Sequence, residues 1–490
     1  MLRALSLLTL SLTAVLSTAG CAADADTSSN DPARSDDAFT SSVPGDKRDP
    51  AAARGDRVGA TVEVHGRKIA LHLSDPDNMA WASIDNGDPD DETWIDRSFD
   101  GGLGWGDGSK LGETKIPSGR RGWRTLMFNL DQPDKRRVGA VRACGKANNR
   151  VEIACTPWLR TTVNAGNPLD AAATALMQLY DHGDGLWHNS GWWNSANALT
   201  ALIDYSQATG SQTYRYAIAR TFDENKRHNV VETDFINDFL DDTAWWGLAW
   251  LRAFDLTRDG RYLDMARKDA DHLWKFRDDV CGGGVWWKDD KKYKNAITNE
   301  LFIKLSAGIH NRLPGDTVYL ARAEETWRWF KASGMINGQR MINDGLDNCR
   351  NNNQETWTYN QGVILGGLVE LNRATGQAAY LDEARALADA STANPRLNPG
   401  GILKEPCEDS ADACGGDGPS FKGIYMRNLG ELDRALPGRP YRAYLERQAE
   451  ALRTRNRTVM DQYGLRWAGP VDRVDAHRQQ SALDALTAAR

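Results

Sequence analysis

The segment Ala374-Thr-Gly-Gln-Ala-Ala-Tyr-Leu381 is one of five short segments that resemble one another along the chain. The other four are Ala208–Tyr214, Thr257–Leu263, Leu313–Leu320 and Leu436–Tyr441. A glycine directly after a helix often ends it, because glycine readily takes the left-handed backbone conformation. The repeat therefore predicts a series of helical hairpins with glycine turns. Their glycines, separated by 50, 55, 61 and 62 residues, are Gly210, Gly260, Gly315, Gly376 and Gly438.

The two helices of each predicted hairpin differ in composition. Those after the glycine, such as 261–275 and 319–331, are charged on one side and should lie outside. Those before it, such as 244–254 and 362–371, are apolar on nearly all sides and should be buried. A first helix near 168–181 and a last near 474–489 complete six inner and six outer helices. We expect an all-α (α/α)6 toroid over residues 165–490, with an open solenoid as the alternative.

Residues 56–160 have a different pattern, which is typical of β-strands. Val58–His65 and Lys68–Leu73 alternate apolar and polar residues on either side of a short turn, which predicts a hairpin. Further short runs indicate a small all-β, sandwich-like accessory domain ahead of the helices. Its tryptophans form either a sugar-binding face or a small core with a contact between domains; they are Trp94, Trp105 and Trp123.

The first 55 residues contain a targeting signal and a tether. Residues 1–20 resemble a signal peptide, with Arg3 followed by the apolar run Leu5–Leu16. The small residues before Cys21 resemble a bacterial lipoprotein cleavage box, which predicts a lipid on Cys21; ordinary secretion is the alternative. Residues 21–55 have few large apolar side chains and predict a flexible linker. We expect an extracellular protein, secreted or lipid-anchored at the outer face of a bacterial cell membrane.

The chain has seven cysteines, and setting Cys21 aside leaves an even number. An even number suits disulfides in an exported protein. Pairing of sequence neighbours is the simplest of the 15 connectivities that six cysteines allow. That pairing joins Cys144 with Cys155 and Cys407 with Cys414, and leaves Cys281 and Cys349. The spacings do not suit zinc, and we expect neither a metal nor a cofactor.

The charge and aromatic content narrow the class of partner. The 490 residues carry a formal net charge of −7, with an isoelectric point near 5.7. Nucleic-acid-binding proteins usually carry a basic surplus, so a nucleic-acid partner is excluded. The chain also has 18 tryptophans, which usually lie in cores, interfaces or ligand clefts.

If inner and outer helices alternate, the N-termini of all inner helices meet at one rim. The segments there mix aromatic rings with amide, carboxylate and guanidinium groups, which suits the C–H faces and hydroxyls of a sugar; hydrogen bonds between packed helices are the alternative. The segments are Trp192–Asn197, Asp241–Trp246, Asn295–Glu300, Thr356–Gln361 and Lys422–Arg427. The predicted substrate-binding residues are Trp192, Trp193, Asn194, Trp245, Trp246, Trp286, Trp287, Asn299, Glu300, Tyr359, Asn360 and Arg427.

The adjacent carboxylates Asp241 and Asp242 are the candidates for catalysis. Glycoside hydrolysis uses two carboxyl groups, one as acid and one as nucleophile or base. At a non-helical N-cap position two neighbours could hold their carboxyls about 5–5.5 Å apart, the separation of retaining enzymes. The alternative is a doubled cap, since aspartate is favoured at the positive end of a helix.

Several segments together resemble glycoside hydrolase family 76. They are Leu240–Trp250, Gly282–Trp287, Tyr293–Leu301, Tyr359–Gly362 and Phe421–Tyr425, in this order within residues 165–490. The resemblance implies an endo-acting, retaining α-1,6-mannanase with an (α/α)6 fold, in which Asp241 is the nucleophile and Asp242 the general acid/base. The β region lies outside the resemblance.

Three other functions stay open at this point. The first is a transglycosidase acting on mannose-containing glycans, and the second is another (α/α)6 enzyme such as a polysaccharide lyase or an unsaturated-uronyl hydrolase. The third is a non-catalytic glycan-binding protein of the cell surface. The expected partner is an α-mannan polysaccharide or oligosaccharide, and we expect a monomer that meets the membrane only through an N-terminal lipid.

Overall fold

The computed structural model describes residues 43, 45–103, 109–162, 167–188, 190–227, 234–410, 412 and 414–490. The predicted signal peptide, most of the predicted linker, Cys21 and Trp105 lie outside these residues. No helix of the described part combines the length and apolar character needed to cross a membrane.

The N-terminal region consists of two antiparallel sheets. One has the order β1-β2-β3-β6, with β7 also pairing with β3, and the other has the order β5-β4-β8-β9. Aliphatic side chains from both sheets, among them Leu71, Ile84, Ile95 and Val141, form a shared core. The β prediction and the β1–β2 hairpin are therefore confirmed. The strands are β1 Arg57–Val64, β2 Arg67–Ser74, β3 Met79–Asp85, β4 Glu92–Ser98, β5 Lys110–Lys115, β6 Gly122–Arg124, β7 Phe128–Asn129, β8 Ala140–Lys146 and β9 Ala154–Cys155.

The C-terminal region is helical, with a small hairpin between the seventh and eighth helices. The hairpin is formed by β10 (Leu346–Asp347) and β11 (Arg350–Asn351). In the described residues the helices are α1 Pro168–Met177, α2 Trp192–Thr209, α3 Tyr216–Asn225, α4 Leu240–Thr257, α5 Gly260–Trp274, α6 Ala296–His310, α7 Val318–Ala332, α8 Thr358–Thr375, α9 Ala378–Ala393, α10 Phe421–Ala435, α11 Arg442–Arg455 and α12 Ala476–Ala488.

The even-numbered helices pack side by side in a cycle. Contacts run from α2 to α4, α6, α8, α10 and α12, and α12 packs again on α2. These helices are the ones expected to be buried, and every residue from Ala296 to Ile309 of α6 is buried. The odd-numbered helices pack against this group, for example α5 on α4 and α9 on α8. In α5 one side is buried and the other carries the charges, as the sequence pattern predicts.

The glycine turns agree only in part with the prediction. Gly210 and Gly376 end α2 and α8 with φ of 75° and 71°. Gly260 is wrong as a helix stop, because Arg258 takes the left-handed conformation with φ of 61° and Gly260 begins α5. Gly315 and Gly438 have positive φ, but they lie in turns after α6 and α10 have already ended.

A glycine is required where α8 meets α10. A Cβ atom added to Gly362 would lie 2.5 Å from the Cα atom of Tyr425. Since backbone cannot move aside as a flexible side chain can, we expect Gly362→Ala to lower the free energy of unfolding by about 1–3 kcal/mol. Urea titration followed by circular dichroism measures this change.

Gly260→Ala is the matched control for that substitution. A Cβ atom at Gly260 meets nothing within 4 Å. Alanine loses less backbone entropy than glycine when a helix forms, so this variant should gain up to about 1 kcal/mol. A Gly362→Ala protein as stable as Gly260→Ala would show that α8 and α10 are not in close contact.

The three disulfides confirm the pairing of sequence neighbours. Sulfur–sulfur bonds join Cys144 to Cys155, Cys281 to Cys349 and Cys407 to Cys414. The second of these joins the loop after α5 to the β10–β11 hairpin.

Candidate active site

The predicted rim segments lie at the beginnings of even-numbered helices, as expected. Trp192, Leu240, Ala296, Thr358 and Phe421 are the first residues of α2, α4, α6, α8 and α10. Rings from four of these helices contact one another, so the helix N-termini meet at one end of the bundle. Two of the contacts join Trp193 to Trp245 and Tyr359 to Phe421.

An aromatic row crosses this end of the helices; we use that name for Trp193, Trp245, Tyr359 and Phe421. The centroids of Trp193 and Trp245 are 5.5 Å apart, those of Trp245 and Tyr359 6.5 Å, and those of Tyr359 and Phe421 3.9 Å. All three pairs are close to parallel, and the centroid of Trp193 also lies 6.2 Å from that of Phe421, so the row closes on itself. Phe421 was not among the predicted site residues, although it begins a segment on which the family resemblance rests.

Asp241 and Asp242 lie in the first turn of α4, half-buried beside this row. The prediction of a non-helical N-cap position is wrong, because Phe239 is the N-cap. The indole N–H of Trp287 donates to Asp241 Oδ2 at 2.9 Å. The amide of Asn237 donates to Asp242 Oδ2 at 2.8 Å. Separate donors therefore orient the two carboxyl groups.

The two carboxyl groups influence each other's ionisation. Burial, together with the charge of Asp242, raises the pKa of Asp241 well above its usual range. The Trp287 N–H and the backbone N–H of Asp242 act in the opposite direction. Two interacting carboxyls lose their protons in separate steps that belong to the pair. Burial and the neighbouring charge therefore act on Asp241 against the hydrogen bonds that favour its ionised form.

Asp344 adds a third carboxyl group that the sequence analysis missed. It lies in the loop after α7, where the Tyr293 hydroxyl donates to Asp344 Oδ2 at 2.5 Å. Burial raises the pKa of Asp344. The pKa of Tyr359 is raised by burial and then by the charges of Asp344 and Asp241, so both carboxyls lie within electrostatic reach of its hydroxyl. The only sequence signal was the short polar stretch Asn343-Asp-Gly345.

Only one member of each tryptophan pair lies beside the carboxyl pair or the aromatic row. Trp193 and Trp245 belong to the row, and Trp287 bonds to Asp241. The prediction of substrate binding is wrong for the other member of each pair, which packs or bonds inside the protein. Trp192 packs on Phe235 and Trp246, Trp246 is 0% exposed, and Trp286 donates to Asp278 at 2.7 Å with the Lys294 ammonium over its ring.

Three predicted sugar-binding residues instead make contacts within the protein. Asn194 donates to Ser420 Oγ at 3.2 Å, and Asn299 donates to the carbonyls of Val285 and Asn295. Arg427 donates to Asn197 and Asp484 at 2.7 and 2.9 Å, and borders a small cavity of about 20 Å³ that also touches Trp245. These are the interhelical and loop contacts that formed the alternative interpretation.

Glu300 and Asn360 are fully buried near the start of α6 and α8. Burial raises the pKa of Glu300 well above its usual range. Within the described residues, neither polar atom of the Asn360 side chain has a hydrogen-bond partner. Both residues lie below the surface rather than at the rim.

The comparison with protein families fits this arrangement of residues. The model of glycosyl hydrolase family 76 matches residues 165–490, which is more than half of the chain. The chain belongs to glycosyl hydrolase family 76. The match covers the helical region and begins after the last of the nine β-strands described in the N-terminal region.

Curated relatives of this family 76 chain come from fungi. A mannan endo-1,6-α-mannosidase DFG5 of Candida albicans is 27% identical over 276 residues, covering 50% of this chain and 59% of the relative. A mannan endo-1,6-α-mannosidase DCW1 of Candida glabrata is 29% identical over 274 residues, with the same coverage. The chain thus spans 59% of the length of these two relatives.

Solved structures of family 76 proteins resemble the chain as well. One is an inactive variant of the α-1,6-mannanase GH76A of Salegentibacter sp. HEL1_6, with two consecutive aspartates replaced by alanine, in complex with α-1,6-mannotetrose. It matches with a TM-score of 0.60 and 26% identity, over 66% of this chain and 98% of that one. Dfg5 of Chaetomium thermophilum, in complex with glucosamine, matches with a TM-score of 0.59 and 22% identity, over 66% and 88%, which indicates the fold alone.

Proposed function

We propose that this chain is a retaining glycoside hydrolase that cleaves internal α-1,6-mannosidic linkages of α-mannan. The observation that carries the proposal is the carboxyl pair Asp241 and Asp242, held by the Trp287 indole and the Asn237 amide beside the aromatic row. The names of the curated relatives support the substrate. The inactive mannanase variant supports the pair, since two consecutive aspartates were the residues replaced in it.

We propose an (α/α)6 toroid for residues 165–490 and a small, β-sandwich-like accessory domain for residues 56–160. The cycle of contacts through the even-numbered helices supports the toroid. The family match, which begins at residue 165, supports the division. Three disulfides support an exported protein, because disulfides persist in oxidising compartments. A lipid on Cys21 and a monomeric state remain part of the proposal.

In the proposed first step, Asp242 protonates the glycosidic oxygen while Asp241 Oδ attacks the anomeric carbon. The bond to the leaving sugar breaks and a mannosyl ester forms on Asp241. In the second step Asp242 takes a proton from water, the water oxygen attacks the anomeric carbon, and Asp241 leaves as a carboxylate. The Trp287 N–H favours the ionised form of Asp241 that this attack requires.

Within the aromatic row, Trp193 and Tyr359 are half-buried and can offer ring surface to a mannose, whereas Trp245 and Phe421 are 4% and 7% exposed and act as packing partners. Asp344, whose carboxyl group is held by Tyr293, and Asp417, which accepts from the Trp193 indole at 3.0 Å, provide hydrogen-bonding groups for hydroxyls. We therefore propose that the substrate passes over Trp193 and Tyr359, with its scissile bond next to Asp241.

Digestion of linear α-1,6-mannan, with sizing of early products and proton NMR of the new anomeric centre, tests the function. Oligosaccharides of intermediate length released first in the α configuration are expected. Mannose as the sole early product would contradict endo action, and β-configured products would contradict retention. Products longer than the substrate, formed with an added acceptor sugar, would establish the transglycosidase instead.

Trp287→Phe is expected to lower kcat and to shift its pH profile. A hydrogen bond to a charged group contributes about 1.5–3 kcal/mol, so kcat should fall by about 10- to 100-fold. The lost donor favours the ionised Asp241, so its removal raises the pKa of that carboxyl. The nucleophile must be ionised, and the acidic limb of the kcat profile therefore moves to higher pH.

Trp286→Phe is the matched control, because the Trp286 N–H bonds to Asp278 rather than to the pair. Its acidic limb should coincide with that of the wild type. Equal shifts in the two variants would show that the Trp287 hydrogen bond does not set the ionisation of Asp241. Rates measured from pH 3 to pH 9 on a soluble mannan give both profiles.

A further inference from the structure

A groove of about 830 Å³ lies at an open edge of the N-terminal sheets, outside the family match. It runs between β5 and β6, each of which pairs with one neighbouring strand among the described residues. This volume is within the range of small-molecule and sugar-binding clefts. We call it the edge groove. Among the side chains that line it are Asp49, Asp85, Glu113, Trp123, Arg124 and Leu126.

Trp123 provides an aromatic surface in the edge groove. The ring is half-buried, and it packs on the aliphatic core of the sheets. The guanidinium of the exposed Arg120 lies 5.0 Å from the ring centroid. An arginine on the surface can reach only a ring face that points away from the core. That face of Trp123 is therefore open to a ligand once the arginine moves aside.

Trp94, in contrast, is not available for binding. It is 4% exposed, its N–H donates to Asp96 at 3.0 Å, and the ammonium of Lys110 lies over its ring. Each of the two alternatives offered for the tryptophans of the β region therefore applies to one of these residues. Trp94 belongs to the core, and Trp123 lies at the groove.

The polar side chains of the edge groove carry both signs of charge. Three carboxylates, Asp49, Asp85 and Glu113, line it together with the guanidinium groups of Arg120 and Arg124. Arg124 Nη2 lies 3.1 Å from Asp49 Oδ1. Carboxylates accept hydrogen bonds from hydroxyls and guanidinium groups donate to them. Lys110 Nζ lies 2.5 Å from Glu113 Oε2, so two of the three carboxylates are paired with cations. The described lining of the groove therefore has no surplus of positive charge to attract phosphate, uronate or nucleic-acid ligands.

We propose that the edge groove binds a neutral glycan, as a carbohydrate site separate from the catalytic one. Trp123 stacks on the C–H face of a sugar, while Asp85, Glu113 and Arg124 bind hydroxyls. Leu126, 44% exposed at the same groove, extends the apolar surface. The identification of this glycan as α-mannan rests on the proposed function, whereas the site itself does not.

Affinity electrophoresis of the full chain tests the site, in gels containing linear α-1,6-mannan, starch or a soluble β-glucan. Asp241→Asn with Asp242→Asn provides an inactive background. In it, Trp123→Ala should weaken binding to the retarding glycan by about tenfold, as loss of an aromatic anchor does. Glu113→Gln with Arg124→Ser should weaken it too, and this variant leaves the core packing of Trp123 intact. Val151→Ala, at a residue 97% exposed and outside the groove lining, is the control.

The proposal is supported if the protein is retarded in any of the gels and both groove variants reduce that retardation. Equal retardation of wild type and both groove variants, or no retardation in any gel, overturns it. Hydrolysis of α-1,6-mannotetraose by the active enzyme separates this result from the proposed function. Trp123→Ala should hydrolyse the tetraose at the wild-type rate, and a wild type that leaves the tetraose intact contradicts the function while the gels still test the groove.

Discussion

Asp241→Asn is expected to lower kcat/KM on linear α-1,6-mannan by about 10⁴-fold or more. The amide keeps the size of the carboxylate but cannot form the mannosyl ester, and loss of a nucleophile removes most of the chemical acceleration. Asp242→Asn should cost about 10²- to 10⁴-fold, the usual contribution of general acid–base catalysis. Reducing-end release, followed over hours at high enzyme concentration, measures both losses.

Azide separates the two proposed roles. In Asp242→Ala the ester on Asp241 still forms from a substrate with a good leaving group, and azide then gives the α-mannosyl azide. In Asp241→Ala azide attacks directly from the opposite face and gives the β-mannosyl azide. An α-azide from Asp241→Ala would reverse the assignment of nucleophile and general acid/base.

Asp238→Asn, at an exposed carboxylate of the preceding loop, is the control for the loss of activity and should retain wild-type activity.

Asp241→Asn should also stabilise the fold at neutral pH. Because burial and Asp242 raise the pKa of Asp241, the folded state binds its proton more tightly than the unfolded state does. The contribution of Asp241 to stability is therefore present at low pH and is lost as pH rises toward the raised pKa. Asparagine removes the charge, so Asp241→Asn should exceed the wild type in free energy of unfolding at pH 7. If the wild type and Asp241→Asn each had the same free energy of unfolding at pH 5 and at pH 7, the raised pKa of Asp241 would be contradicted.

The repeat allowed most of the helical region to be predicted, because the spacing of the turns and the composition of the helices are local properties. Gly260 shows the limit of that reasoning. Its segment matches the others, yet Arg258 ends α4 in the left-handed conformation at φ of 61°. The position of the turn within the segment depends on how far the first helix extends, which packing determines.

The types of residue that form the site were predictable from the sequence, but the direction in which each side chain points was not. Successive helical residues point about 100° apart, so Trp245 and Trp246 cannot both face the rim. Which of them does depends on the rotation of α4 against its neighbours, and this is a tertiary property. Asp344 was missed because the interactions that bring it to the site, with Tyr293 and the start of α6, are distant in sequence.

Loss of the Cys281–Cys349 disulfide is expected to have the largest effect on stability of the changes considered. The two cysteines are 68 residues apart, and closing a loop of that length in the unfolded chain corresponds to about 4 kcal/mol in the chain-entropy model. The bond also joins the loop that leads to Trp287 with the hairpin that follows Asp344. Cys281→Ser with Cys349→Ser should therefore lose about 4 kcal/mol and also lower kcat/KM.

Cys407→Ser with Cys414→Ser is the matched control, because that disulfide closes a separation of only 7 residues. The same model gives it about 2 kcal/mol, so urea unfolding without reductant should separate the two double variants by about 2 kcal/mol. Equal losses would show that loop closure is not the source of the stabilisation. If the Cys281 variant lost stability but kept wild-type kcat/KM, the disulfide would hold the fold without positioning Trp287, and the hydrogen bond to Asp241 would depend on α4 and its neighbours alone.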